Sequence, residues 1–143
     1  MDQSYPLDRL HCTILRLGDE SDRPASEWLA IRDWLSRLAV APFDVAFDLL
    51  DGTLLRGARG STDAAAFHRT VSRYLITGGF RVPAQGFWLH LSLAYRGLGH
   101  PHTAIARIAW QVDELLMIRS IPGVGHETIA RWLLIDPEPS LAL

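Results

Sequence analysis

The chain has a single cysteine, Cys12, among 143 residues. One thiol excludes an internal disulfide and a cysteine-based zinc site, and it fits a cytoplasmic, reducing setting. Basic charge is not in excess. The formal net charge is -2, so no global field draws the chain to nucleic acid. No apolar run reaches the roughly 20 residues needed to span a membrane. The opening stretch, MDQSYPLDRL, lacks the charged-then-apolar layout of a secretory signal. Low-complexity tracts and interdomain linkers are missing too. What is present is ordinary for a globular protein: 48% hydrophobic and 21% charged residues, which suits one domain over 1–143 with one sizeable core.

The hydrophobic pattern predicts an α+β chain with mostly antiparallel strands. LHCTILRL (10–17) alternates like a strand. Residues 26–40 read as a helix with a stripe of Trp28, Leu29, Ile31, Leu35 and Leu38, capped by Ser26 and broken by Pro42. FDVAFDLLDGTLLRGARG reads as two strands joined at Asp51-Gly52, with Phe43, Val45 and Phe47 on one face and Asp44 and Asp48 on the other. Residues 62–77 read as a second helix stopped by Gly78-Gly79. FWLHLSLAYRG reads as a strand, 102–107 as a short helix, and WQVDELLMIRS and ETIARWLLI as two late strands. Each half then holds a strand, a helix and a hairpin, which suggests a pseudo-twofold layout.

The feature that carries chemistry is H-x-[ST], at His11-Cys12-Thr13, His68-Arg69-Thr70, His90-Leu91-Ser92 and His126-Glu127-Thr128. His68 falls in a helical segment, where i and i+2 do not share a face. His126 reads as the mouth of a loop. Only His11 and His90 fall in apolar strands, where i and i+2 point the same way. Each imidazole can then give or take a proton near neutral pH. The hydroxyls of Thr13 and Ser92 can donate to phosphoryl oxygens. Two such units bracketing one phosphate would make a metal-independent acid–base pair. A lone strand histidine is more often a hydrogen-bonded core residue, and the pairing of two units outweighs that reading. Cys12 points away from His11 and reads as core filler.

LHCTILRLGD, APFDVAFD, LLRGARG, HLSLAY and WQVDELLMIRS, in that order, resemble the two-histidine (2H) phosphoesterase family. The branch they resemble most is the 2′-5′ RNA ligase or RNA 2′,3′-cyclic phosphodiesterase, over about residues 7 to 135. The resemblance implies two lobes of antiparallel sheet around a central cleft with helices on the outer faces. It implies hydrolysis of 2′,3′-cyclic phosphate ends to 2′-phosphates, with reverse joining of RNA ends in some members, and no metal or other cofactor. On these positions His11 becomes the proton donor, His90 the base, and Thr13 and Ser92 the phosphate-binding residues. The alternative is a module that binds nucleotide or phosphate without turnover. Two features depart from the family pattern. Only ten residues precede His11, where a strand and a helix are usual, and Leu89 stands where a proline is common.

Arg16, Arg56 and Arg96 read as possible contacts to a nucleic-acid backbone, and Tyr95 as a possible base-stacking ring, with Arg59 and Trp88 as further candidates. With no basic excess, the expected partner is an RNA end or a small cyclic nucleotide, and not a membrane. His100 and His102 read as solvated loop residues rather than metal ligands. The short start predicts an exposed strand edge, and hence a homodimer or swapped element over the first lobe, to be read by light scattering.

Overall fold

The computed structural model describes residues 11–58, 61–93 and 102–136. A 3₁₀ turn (Glu20–Asp22) leads into α1 (Ala25–Leu35), followed by β1 (Phe43–Asp51), β2 (Leu54–Gly57), α2 (Asp63–Thr77), β3 (His90–Ser92), β4 (Thr103–Val112), β5 (Glu114–Ile121) and β6 (Gly125–Leu133). The strands form two antiparallel sheets, one in the order β3-β2-β1-β4 and one of β5 and β6.

The helices follow the apolar spacing of the sequence. In α2, Ala64, Phe67, Val71 and Leu75 recur at three- and four-residue steps and are all buried. In α1, Ile31 and Leu35 do the same. α1 ends five residues earlier than the pattern predicts. Tight turns close over 36–38, where Ser36 N–H donates to Arg32 O, Arg37 N–H to Trp34 O and Leu38 N–H to Leu35 O. Its N-cap is Pro24, not Ser26. The two helices are tied together where Trp34 and Tyr74 stack at 4.8 Å. Trp34 Nε1 donates to Tyr74 O at 2.7 Å, and the Tyr74 hydroxyl donates to Trp34 O at 2.8 Å.

One core cluster joins Ile31, Leu35, Phe67, Val71, Leu75 and Leu134, with Leu115, Met117 and Trp132 of the second sheet against it. The other joins Val45, Phe47, Leu55, Leu89 and Leu91 of the first sheet to Ala64. α2 therefore covers one face of both sheets. The opposite faces are left for other side chains, polar and apolar alike.

Two β-bulges decide which side chains those are. In β1, Phe47 pairs with Gly57 and Leu49 with Arg56, so Asp48 is the extra residue. Before the bulge Val45 and Phe47 face the core; after it Leu50 does, and Leu49 and Asp51 turn to the opposite face. Asp48 thus does not continue the alternation expected from the sequence. In the second sheet, Met117 pairs with Ala130 but Ile118 with Thr128, so Ile129 is extra and the facing of β6 reverses there.

Further expectations are corrected. Residues 11–19 are not a strand; over Ile14–Leu17, side chains of other segments, Gln85, His68 and Arg23, bond the backbone instead. Residues 102–107 are not a helix but the start of β4, drawn into pairing with β1 over Phe43–Leu50. WQV belongs to β4, and the next strand begins only at Glu114, after Asp113, whose carbonyl accepts Leu134 N–H at 2.8 Å. The expected hairpin forms, but its two-residue turn is Gly52-Thr53 rather than Asp51-Gly52, because Asp51 still pairs with Leu54; Gly52 has φ +63°, a conformation that favours glycine.

Candidate active site

His90 sits on β3, which among the described residues is one of the two end strands of the first sheet. β3 is held close to β2 because Gly57 has no side chain: a Cβ there would lie 2.8 Å from Leu89 Cβ. Gly57 N–H donates to Leu89 O at 2.8 Å and extends the pairing. Leu89 and Leu91 are buried, so Trp88, His90 and Ser92 project from the face away from α2. Across the strands, Arg56 is opposite His90 and Leu54 opposite Ser92.

Several contacts order this face. His90 Nδ1 lies 3.2 Å from Trp88 O. A carbonyl only accepts, so Nδ1 bears the hydrogen, and a neutral ring then presents Nε2 as a base. The Trp88 and His90 rings stack at 4.1 Å, and the Arg56 guanidinium lies over Trp88 at 5.0 Å. Arg56 Nε pairs with Asp51 Oδ2 at 2.7 Å, and His102 Nε2 lies 2.7 Å from Asp51 Oδ1. His102 is therefore part of this cluster and not a plain loop residue. Trp88 is 48% exposed and is not core. Beside it, Arg56, Gly57, Ala58, Ser61, Trp88 and Leu89 line a cavity of about 200 Å³.

The His11 segment is fixed from four sides. Arg16 N–H donates to Gln85 Oε1 and Gln85 Nε2 donates to Arg16 O, both at 2.8 Å. One amide side chain thus does for Arg16 what a neighbouring strand would do. His68 Nδ1 lies 2.6 Å from Ile14 O, so it donates there, and its ring stacks on Phe87 at 5.0 Å. The buried Arg23 donates to Leu17 O and to Arg81 O, and pairs with Glu27 at 3.2 Å. Ile14, Leu15 and Leu17 pack on the core. His68 thus ties α2 to the His11 segment. Gln85 and Arg81 belong to the stretch that leads into β3, so the same bonds stitch the His11 segment to the His90 segment.

His11 and Thr13 are both half-buried. The ring beside His11 is His126, at 4.7 Å between centroids and 65° between planes. His126, expected at the mouth of a loop, is instead the second residue of β6. Cys12 packs against the first-sheet core, and burial pushes its thiol pKa up to about 11, which suits filler rather than a nucleophile.

The predicted site residues fall into two groups. His90, Ser92 and Arg56 share one sheet face; His11 and Thr13 lie on the segment stitched to it. The Arg16 side chain is exposed and its backbone is engaged by Gln85. Tyr95, Arg96, Arg59 and His100 lie outside the described residues. Sequence reasoning misses Asp51, His102, Gln85 and His126. Only His126 carries a signal, the H-x-T spacing itself. Among the described residues, no group of three or more His, Cys, Asp or Glu side chains is placed to hold a metal ion, and no helix is long and apolar enough to cross a membrane.

Two antiparallel sheets backed by helices define a class of α+β fold already seen in solved phosphoesterase structures. Specifically, the chain is similar to Escherichia coli LigT crystallised with 3′-AMP, with a TM-score of 0.67 and 18% identity over 92% of this chain and 80% of that one. A crystal structure described as a phosphoesterase gives a TM-score of 0.69 at 18% identity, over 94% and 82% of the two chains. TT0787 of Thermus thermophilus gives 0.63 at 23%, over 95% and 84%. The fold implied by the sequence resemblance is the fold observed. No family model matches the sequence, and no curated protein matches it significantly.

Proposed function

We propose that this chain is a 2H phosphoesterase that opens 2′,3′-cyclic phosphate ends of RNA or nucleotides to 2′-phosphates, without a metal. 2′-5′ joining is the same ring opening with an RNA 5′-hydroxyl attacking phosphorus in place of water. The observation that carries the reading is the Nδ1–H bond from His90 to Trp88 O, which leaves Nε2 as the proton acceptor on a face shared with the Ser92 hydroxyl. His90 takes a proton from water as its oxygen attacks phosphorus. The bond from phosphorus to O3′ breaks, and His11 gives its proton to O3′. Thr13 and Ser92 donate to the non-bridging oxygens, where charge builds up. Each proton transfer is worth about 10²–10⁴-fold in rate. Support for a nucleotide in this cleft comes from the similar LigT fold, crystallised with 3′-AMP, ATP, NADP+ and phosphate.

Arg56 is held by Asp51 through Nε, which leaves its other nitrogens to meet the substrate backbone. The test is incubation of the purified chain with a nucleoside 2′,3′-cyclic phosphate in EDTA, beside His11→Ala and His90→Ala. Turnover in the parent and its loss in both variants is expected. Turnover unchanged in the variants defeats the assignment. Tight binding with no product in the parent replaces it with the non-catalytic binding module.

A further inference from the structure

We propose that His126 and Thr128 form a second phosphate-binding unit beside His11, so that the preferred substrate carries a phosphate on each side of its terminal ribose. The inference rests on the phosphoesterase reading and names its substrate more closely. It starts from the H-x-T that lies on a strand, His126-Glu127-Thr128 on β6. Ala130 and Trp132 pair with Met117 and Leu115, the residues that pack on the helices. Without the bulge, His126 and Thr128 would continue that alternation into the helix-facing side. The extra residue Ile129 reverses it. His126 and Thr128 then face away from the helices, opposite Ser120 and Ile118. Bulges of this kind re-aim side chains next to functional sites.

Two further observations give that face its chemistry. The His126 ring lies 4.7 Å from the His11 ring, so the second H-x-T unit borders the first. Glu127 turns the other way and is held by Arg119, which also pairs with Glu20 at 2.9 Å. The carboxylate adjacent in sequence is thus kept off the histidine face, as an anion site requires. The units differ in task. His11 acts on the cyclic phosphate. His126 and Thr128 hold a neighbouring phosphate, which in RNA is the internucleotide phosphate of the terminal nucleotide.

The probe is adenosine 3′,5′-bisphosphate against adenosine 3′-monophosphate, with affinities measured by calorimetry in EDTA. A charge-assisted bond is worth roughly ten- to a hundredfold in affinity. The parent is expected to prefer the bisphosphate by at least tenfold. His126→Gln and Thr128→Val are expected to remove most of that preference and leave the monophosphate within about twofold. Both side chains are exposed, so the fold is not at stake. Glu127→Gln, on the opposite face, keeps the preference. Equal affinity of the parent for both probes overturns the inference, as does a His126→Gln loss that is the same for both. A His126-dependent preference without cyclic-phosphate turnover keeps this second unit and sinks only the hydrolytic reading.

Discussion

Replacing Gln85 with Glu tests whether one amide holds the two histidine segments in register. Glu has the same shape and can still accept from Arg16 N–H, but a carboxylate cannot donate to Arg16 O. The 2.8 Å bond from Nε2 becomes an oxygen–oxygen contact, and the 3.0 Å bond to Pro83 O is lost as well. A net hydrogen bond is worth about 0.5–1.5 kcal/mol. Gln85 is only half-buried and Arg16 is exposed, so water takes up part of the loss. The expected cost is about 1–2 kcal/mol, or a fall in Tm of about 3–6 °C, read by urea or thermal unfolding on tryptophan fluorescence. Cyclic-phosphate turnover should drop further than stability alone explains, with kcat falling more than KM rises, because His11 and His90 lose their common brace. The variant carries its own control. The protonated acid can donate again, so folding favours the neutral form and raises the pKa of the introduced carboxyl above its unfolded value. The stability difference from the parent then closes below the unfolded pKa and opens as pH rises through the folded one. A Gln85→Glu protein equal to the parent at neutral pH, or a deficit equally large at pH 4 and pH 7, would show that the amide is not the brace.

Trp88→Ala removes the ring stacked on His90 and is expected to lower kcat about tenfold, the scale of an aromatic contact. Trp88→Phe recovers most of it, and KM and Tm move little because Trp88 is 48% exposed; a KM effect alone would assign Trp88 to substrate binding instead. The rate should rise and then fall between about pH 5 and 9, since one imidazole must be neutral and the other charged; a flat profile argues against paired histidines. Burial raises the Cys12 thiol from 9.0 to about 11, so its contribution is complete below pH 9 and is lost as pH rises through 11. Stability should fall by roughly 2–3 kcal/mol across that window, and Cys12→Ala should flatten the fall; an unchanged slope in the variant would place the loss elsewhere.

The helices and the existence of the hairpin turn around Gly52 are legible in the sequence because their signals are local. Ala64, Phe67, Val71 and Leu75 keep helical spacing whatever surrounds them, and Gly52 needs its left-handed φ in any context. The H-x-[ST] spacing is a local signal too, and the proposed site is built on the two segments it marks. What cannot be read depends on distant partners. The alternation in 10–17 is real, but Gln85 and His68 occupy the place of a neighbouring strand. TAIARIAW carries Ile105 and Ile108 at helical spacing, and only pairing with β1 makes it a strand. The bulges at Asp48 and Ile129 reverse the facing of Asp51 and His126 without any sequence mark. The bond between Asp51 and His102 joins residues 51 positions apart, across two sheet strands.

A nucleoside 2′,3′-cyclic phosphate followed by ³¹P NMR in EDTA, with the parent chain and with His90→Asn, puts the paired-histidine hydrolysis to direct test. The parent is expected to convert the cyclic signal to the 2′-phosphate alone, because the proton from His11 goes to O3′, and His90→Asn to leave the cyclic signal standing. A 3′-phosphate product, or equal conversion by His90→Asn, would contradict it.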